Sequence, residues 1–256
     1  SEATGNQRYK DSVFSCYNQV NEQIFMEYLE FERILSVKRI QRYKDAANGD
    51  TRKAMALYRY NLRLSQEMFT IVSCFEVALR NAIDSLLVPS LGEDWLKDSV
   101  QDNGIFSNGR MNETRKIIEK AYNRLNRQGN YSHSKLIAEM EFGVWKYMYS
   151  SLQYRATGQC LLRAFPNKPR SSAAVQYNNT YIFNELDKVN SLRNRIAHHE
   201  PICFRLHEAE IDTSYIINEY QKIQTLFSWM GIDSHSMLYG LDHVQSVCAK
   251  INSLKV

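Results

Sequence analysis

The chain has 256 residues, of which 44% are hydrophobic, and this length allows one large domain or two small ones with a sizeable core. Its 10 glycines and 4 prolines are too few for a turn-rich β-sandwich and favour helices. The formal net charge of +4 is mildly basic, which is compatible with a polyanionic partner but does not require one.

The cysteines argue against a disulfide framework and against a zinc site, because they lie far apart and form no C-x-x-C pair. The five are Cys16, Cys74, Cys160, Cys203 and Cys248. We expect free thiols in a reducing compartment and no metal or other cofactor. No apolar run approaches the ~20 residues of a membrane span, and we find no signal peptide. The sequence therefore predicts a cytoplasmic protein that does not enter a membrane.

Helical periodicity recurs along almost the whole chain. In chain order it predicts helices over residues 17–35, 37–47, 52–87, 113–128, 135–154, 180–200, 207–230 and 240–254. Ser36 and Asp50 are suitable N-caps for the second and third helices, and Pro89 and Gly92 are expected to end the third. Gly143 in the fifth helix would let another element pack closely. These signals predict an all-α bundle that forms one domain over residues 1–256, with residues 1–32 as an N-terminal extension and 205–256 as additional C-terminal helices.

Two of the predicted helices carry one charged residue each within an apolar stripe. Glu76 interrupts the stripe at positions 69, 72, 79, 83 and 86, and Arg193 interrupts the stripe at 182, 186, 189 and 196. A charge on a core-facing stripe is costly unless it is paired, so we expect the two stripes to face each other with Glu76 near Arg193. Arg80, one turn after Glu76, is a rival partner. An ion pair that only fixes the helix register is the alternative to a catalytic role.

The sequence SLRNRIAHHEPI places two arginines and two histidines in one helix end. Asn194 and His198 are four residues apart and share a face, as do Arg195 and His199. Arg193 and His198 are five apart, which separates them by about 140° around an ideal helix. One helix therefore does not place this arginine and this histidine side by side, unless the long arginine side chain, a loosened helix end before Pro201 or a second copy of the helix from another subunit brings them together.

These residue types suit metal-free cleavage of RNA. A histidine transfers a proton near neutral pH, and an arginine can hold a phosphate and stabilise the charge that develops on it. A ribose 2′-OH would attack the adjacent phosphate, leaving a 2′,3′-cyclic phosphate and a 5′-OH, and DNA would be inert because it lacks this nucleophile. Surface histidines that the helix macrodipole favours are the alternative reading.

The stretch LRNRIAHHEPI resembles the signature of the Abi-like (abortive infection) proteins of bacteria, which belong to the HEPN superfamily. Its mark is an arginine and a histidine separated by four residues, often with an asparagine after the arginine. The segments ALYRYN, EVALRNAID and FGVW occur in the same order as in this family, so the resemblance covers about residues 33–204. It implies a HEPN-type helical bundle, commonly a homodimer in which two motifs meet in one composite RNase site.

The resemblance implies roles for individual residues. Arg193 and His198 would be catalytic, Asn194 would contact or orient the phosphate, and Glu76, His199 and Arg80 would support them. The segment LRNAID repeats the Leu-Arg-Asn core, but Ser85 stands where the histidine would be, so one chain would hold half a site.

The leading hypothesis is a metal-independent endoribonuclease in phage defence that acts as a dimer. A non-catalytic HEPN RNA-binding protein and a regulatory interaction module are the alternatives. RNA and a second copy of the chain are the expected partners. A protein or small RNA that regulates the activity is a further expected partner. Lys168, Arg170 and Arg195 are candidate RNA contacts, although an exposed flexible loop is the alternative reading of the segment FPNKPRSS.

Overall fold

The computed structural model describes residues 26–107 and 109–255. Within these residues the chain is all-α, as predicted, and its β-type pairing is limited to one isolated bridge between Phe204 and Ile211. The twelve α-helices of the described residues are α1 (Tyr28–Leu35), α2 (Val37–Ala46), α3 (Thr51–Leu91), α4 (Trp95–Asp98), α5 (Asn112–Arg127), α6 (His133–Glu139), α7 (Phe142–Tyr147), α8 (Ser151–Ala156), α9 (Asn179–Ala197), α10 (Ser214–Trp229), α11 (Ser234–Met237) and α12 (Val244–Asn252). Short 3₁₀ turns at Gly109–Met111 and Leu161–Ala164 complete the described helical structure.

Helix α3 is the central element. Its 41 residues span about 60 Å at 1.5 Å per residue. Helices α2, α9, α10 and α12 all pack against it, and Phe75 near its middle is fully buried. The C-terminal helices therefore share one continuous core with the helices before them.

The predicted start of α3 is confirmed, and of its two predicted end signals Gly92 is confirmed and Pro89 is wrong. The Asp50 carboxylate accepts hydrogen bonds from the backbone N–H groups of Arg52 and Lys53, both at 3.0 Å. The helix then continues through Pro89 and ends at Gly92, whose φ is +93°. Pro89 is exposed and lies in the last turn, where its missing N–H costs one hydrogen bond but breaks no later part of the helix. Gly92 ends the helix because it adopts a backbone conformation that other residues rarely reach.

The first two helices follow the prediction in the described residues except at Met26 and Glu27, which precede α1 and are not helical. Residues 17–25 of the predicted first helix lie outside the described residues, and α1 begins at Tyr28. The Ser36 hydroxyl accepts a hydrogen bond from the Arg39 N–H at 3.4 Å, so Ser36 caps α2 as expected.

The predicted helix over residues 135–154 is instead three short helices, α6, α7 and α8. The backbone is extended at Met140 (ψ 131°) and again at Ser150 (ψ 155°). The apolar residues of this segment are too dense for one side of a straight helix, and the two breaks let Phe142, Trp145 and Tyr149 all be buried.

The C-terminal helices are shorter than predicted. Residues 205–213 form a turn closed by the Phe204–Ile211 bridge rather than the first turns of a helix, so α10 begins at Ser214. The last predicted helix begins at Val244 rather than at residue 240. There the buried Glu67 carboxylate of α3 accepts a hydrogen bond from the His243 N–H at 3.1 Å, which attaches the start of α12 to the core.

Cys74, Cys160, Cys203 and Cys248 are free thiols, and Cys16 lies outside the described residues. Burial raises the pKa of Cys203 to about 12. Among the described helices, none combines the length and the apolar character that crossing a membrane requires.

Candidate functional site

The motif lies at the C-terminal end of α9, where a compact turn ends the helix. His199 has a φ of +56°, its N–H donates to the Ile196 carbonyl at 3.0 Å, and the Glu200 N–H donates to the Arg195 carbonyl at 2.9 Å. These two bonds form a Schellman motif with a histidine at the position that usually carries glycine. The prediction that the helix continues to Glu200 is wrong, because this turn ends it at Ala197, before Pro201 has any effect. His198 and His199 are both exposed there.

Arg195 holds the turn in place. Its Nη2 donates to the Pro201 carbonyl at 3.1 Å, its Nε lies 3.3 Å from the Glu200 carboxylate, and its guanidinium lies 5.0 Å from the centre of the Tyr215 ring. The side chain is 21% exposed. In this structure the Arg195 guanidinium contacts Glu200, Pro201 and Tyr215 of its own chain. An RNA contact by Arg195 stays a prediction.

Two residues that the sequence analysis missed fix the segment after the motif. Arg39 of α2 donates from Nη1 to the His199 carbonyl at 3.0 Å. The buried side chain of Asn61 on α3 accepts a hydrogen bond from the Ile202 N–H at 2.9 Å. Asn61 lies between Leu57 and Leu64 on a buried stripe of α3. It is thus a polar residue within an apolar stripe, which is the pattern that identified Glu76.

Glu76 and Arg193 face each other, as the two stripes predict. Helix α9 packs against α3, and Glu76 is half-buried. Burial raises the pKa of the Glu76 carboxyl, the positive charges of Arg193 and then Arg80 lower it, and the negative charge of Glu141 raises it. Arg193 is therefore the stronger of the two arginine partners. Neither arginine forms a hydrogen bond or close ion pair with Glu76 among the described residues, so the attraction acts through space.

The stripe that contains Glu76 differs from the prediction in one respect. Val72, Leu79 and Ile83 are buried as expected, and Leu86 is half-buried. Phe69 is 45% exposed instead of buried. The buried face of α3 is rotated away from this position, because it is centred on residues such as Met68 and Phe75.

The structure brings Glu76, Arg80 and Arg193 together but leaves His198 apart from Arg193. Helix α9 is continuous from Asn179 to Ala197, so the separation of about 140° between Arg193 and His198 holds. Arg193 is half-buried beside α3, while Asn194 and His198 are exposed. One chain thus presents the arginine and the histidine on different sides of the same helix end.

Lys168 and Arg170 lie far from the motif. The loop that carries them is attached to the end of α10, where the Asn167 N–H donates to the Trp229 carbonyl at 2.9 Å. Trp229 contacts Tyr181 in the first turn of α9, with ring centres 6.1 Å apart. Tyr181 and His198 are separated by about 25 Å along the helix axis at 1.5 Å per residue. Contacts from Lys168 and Arg170 to RNA stay predictions, and they would be distant from His198.

No cluster of three or more His, Cys, Asp or Glu side chains with the geometry of a metal site occurs in the part of the chain that the structure describes. Comparison with known proteins gives a match to the family model of the Abi-like proteins (Abi_2) over residues 18–203. No curated protein and no solved structure matches the chain significantly. The family match spans the central helix α3 and the motif helix α9, and it covers well over half of the chain. The chain therefore belongs to the Abi-like protein family.

Proposed function

We propose that the protein is a metal-independent endoribonuclease of the abortive-infection type, which cleaves RNA in phage defence at a composite site formed by two HEPN-type motifs. The observation that carries the proposal is the half-buried Arg193, whose positive charge acts on the half-buried Glu76 carboxylate, with the exposed Asn194 and His198 on the same anchored helix end. Membership of the Abi-like family supports the biological role.

The proposed chemistry assigns one task to each group. His198 accepts the proton of a ribose 2′-OH, or donates a proton to the departing 5′-oxygen. The 2′-oxygen forms a bond to phosphorus and the bond from phosphorus to the 5′-oxygen breaks. Arg193 binds the non-bridging oxygens as charge develops on them, and Asn194 donates a further hydrogen bond. The negative charge of Glu76 attracts the Arg193 guanidinium through space at the helix interface, and this attraction would keep the guanidinium near the site.

A second copy of the chain supplies the missing half of the site in this proposal. Leu62, Phe69 and Val77 are exposed apolar residues on α3, at 46%, 45% and 40%. Their spacings of seven and eight residues place them on one side of the helix, the side that also carries Glu76 and Arg80. An apolar strip beside the motif suits a two-fold contact that brings Arg193 of one protomer towards His198 of the other.

Cleavage of a labelled single-stranded RNA in EDTA tests the enzyme assignment. Arg193→Ala and His198→Ala should each abolish cleavage, while Arg52→Ala and His235→Ala, which alter exposed residues outside the motif, should leave it unchanged. Products should end in a 2′,3′-cyclic phosphate, and DNA of the same sequence should remain intact. Cleavage that persists in both motif variants would refute the assignment.

Two further measurements test the composite site. Phe69→Glu should shift the protein from dimer to monomer in analytical ultracentrifugation and reduce cleavage with it. Mixing Arg193→Ala with His198→Ala should restore part of the activity, because the composite site of a heterodimer keeps one intact pair, Arg193 of one protomer and His198 of the other. A monomeric wild-type protein that cleaves RNA would rule out the composite arrangement.

The second candidate function is RNA binding without cleavage, favoured by the separation of Arg193 and His198 in one chain. This function predicts that the wild-type protein binds RNA without cleaving it, and that Arg193→Ala weakens RNA binding more than His198→Ala does. A protein or small-RNA regulator would act on either function by controlling access to the helix end.

A further inference from the structure

A groove of about 670 Å³ lies between α5 and the segment that contains α6 and α7. One wall consists of α5 residues from Glu113 to Arg127, so the groove follows the helix for about 20 Å. Gly143 lies on the opposite wall, and nothing packs within 4 Å of the place where its Cβ would be. The expectation that Gly143 permits close packing of another element is therefore wrong, and the space beside it belongs to the groove.

The groove combines apolar surface with a small excess of positive charge, because four basic side chains and three carboxylates line it. Ile117 and Tyr147 line it and are 47% and 46% exposed. Lys120, Arg124 and Arg127 follow one another on successive turns of α5. Arg124 pairs with Glu139 across the groove, but Lys120 and Arg127 form no ion pair with any carboxylate in the described ranges.

Tyr147 has the properties of a platform for a nucleobase. The Lys146 ammonium lies 4.3 Å from the centre of its ring, and the Phe183 ring centre lies 5.7 Å away. Lys146 is itself fixed by an ion pair with Asp187 at 2.8 Å. These contacts hold the ring in place while leaving nearly half of the side chain exposed towards solvent. Exposed aromatic rings beside basic side chains bind single-stranded RNA through base stacking and phosphate contacts.

The groove adjoins the motif. Its wall includes Glu141, which precedes α7, and the negative charge of Glu141 acts on Glu76. Helix α7 also packs against α9, which carries Arg193. A chain lying in the groove would thus pass beside the helix pair that holds Glu76 and Arg193.

We propose that this groove binds the RNA strand next to the phosphate held by Arg193, with Lys120 and Arg127 contacting phosphates and Tyr147 stacking on a base. The inference rests on the proposed function and extends it by naming where the substrate lies. Charge complementarity and the exposed aromatic ring favour RNA over an acidic peptide, which would use the cations but gain nothing from base stacking.

The test measures binding of a labelled single-stranded RNA to the full chain carrying His198→Ala, which prevents cleavage during the measurement. In this background Lys120→Glu with Arg127→Glu should weaken binding at least tenfold. The slope of log Kd against log salt concentration should fall by about 1.4, since each phosphate contact on a single strand contributes about 0.7. Arg52→Glu with Lys250→Glu is the matched control, because it removes the same charges from exposed positions outside the groove.

A second pair of variants isolates the stacking contact. Tyr147→Ala should weaken binding about tenfold, while Tyr147→Phe, which keeps the ring, should bind like the parent protein. Thermal melting of each variant verifies that the fold is intact; Lys120→Gln with Arg127→Gln replaces the charge reversal if that pair unfolds.

The outcomes separate this inference from the proposed function. Unchanged affinity and salt slope in the groove variants, or the absence of any RNA binding, overturns the groove inference, and wild-type cleavage in EDTA still decides the enzyme assignment. Binding that depends on the groove in a wild-type protein that never cleaves RNA supports the groove and rejects the endoribonuclease. Competition by polyglutamate with no effect of Tyr147→Ala would identify an acidic peptide as the ligand and reject the RNA path.

Discussion

Replacing His199 with glycine should stabilise the fold even though it removes a side chain from the motif. His199 is the left-handed residue of the Schellman turn, with a φ of +56°. Its carbonyl accepts the hydrogen bond from Arg39, and its N–H donates to Ile196. Both bonds use backbone atoms, so the substitution His199→Gly keeps them and removes only the Cβ and the imidazole.

The size of the effect is the difference between two terms. A left-handed conformation costs a non-glycine residue about 1–2 kcal/mol, and histidine lies at the lower end because it tolerates this region better than most residues. Glycine loses about 0.5–1 kcal/mol through the larger entropy of its unfolded chain. With the strain near 1 kcal/mol, the net expectation is a gain of up to about 0.5 kcal/mol in the free energy of unfolding, which is a rise of up to about 2 °C in Tm for a chain of this size.

The neighbouring histidine provides the matched control. His198 has a φ of −87°, so His198→Gly relieves no strain and should lower the stability by about 0.5–1 kcal/mol. His199→Ala keeps the Cβ and should not gain stability. Thermal and urea unfolding of the three variants decide the matter: if His199→Gly lowers Tm as much as His198→Gly does, the account of the turn is wrong. A stabilised His199→Gly protein with reduced RNA cleavage would show that the strained residue is kept for function.

Three other predictions concern buried polar groups. Burial raises the pKa of Glu76 above 4.5, so the folded state binds more protons at this group than the unfolded state does, and wild type loses stability as the pH rises from 4.5 to 7. Glu76→Gln lacks this group and should gain stability relative to wild type over the same range. A difference in unfolding free energy between the two proteins that stays constant with pH would contradict the raised pKa. Asn61→Ala leaves the Ile202 N–H without a partner and should cost about 1–3 kcal/mol and speed exchange of that amide, whereas the exposed Asn81→Ala should change neither. Because burial raises the pKa of Cys203 to about 12, iodoacetamide should modify this thiol only after unfolding, and rapid labelling of the native protein would show that the site is open.

Local sequence signals predicted this fold well wherever one residue determines the backbone. Ser36 and Asp50 cap their helices as expected, because a side-chain oxygen next to free N–H groups needs no distant partner. The same approach failed over residues 135–154, where the helix breaks at Met140 and Ser150. Neither residue is a helix breaker by itself, and the breaks depend on how the surrounding core accommodates Trp145 and Tyr149.

In the candidate site, too, some residues could be predicted from local sequence signals and others could not. The proximity of Glu76 and Arg193 followed from the cost of burying a charge, and the same argument applied to Asn61 would have identified the anchor of the loop after the motif. Arg39 could not be found this way, because its guanidinium bonds to a backbone carbonyl 160 positions away and leaves no mark on its own helix.

The position at which α9 ends could not be predicted from the sequence, and it determines how His198 is presented. Reading Pro201 as the helix stop placed His198 inside the helix, where its side chain would be fixed by the helix geometry. The Schellman turn at His199 instead makes His198 the last half-helical residue, with its backbone N–H bonded to Asn194 and its side chain free of the next turn. A histidine at that position can turn towards solvent, whereas Arg193 stays at the interface with α3 beside Glu76. The division between an interface arginine and an exposed histidine follows from their offset of about 140° around α9 together with the end of the helix at Ala197, and it is the physical reason to look for the partner of each in a second copy of the chain.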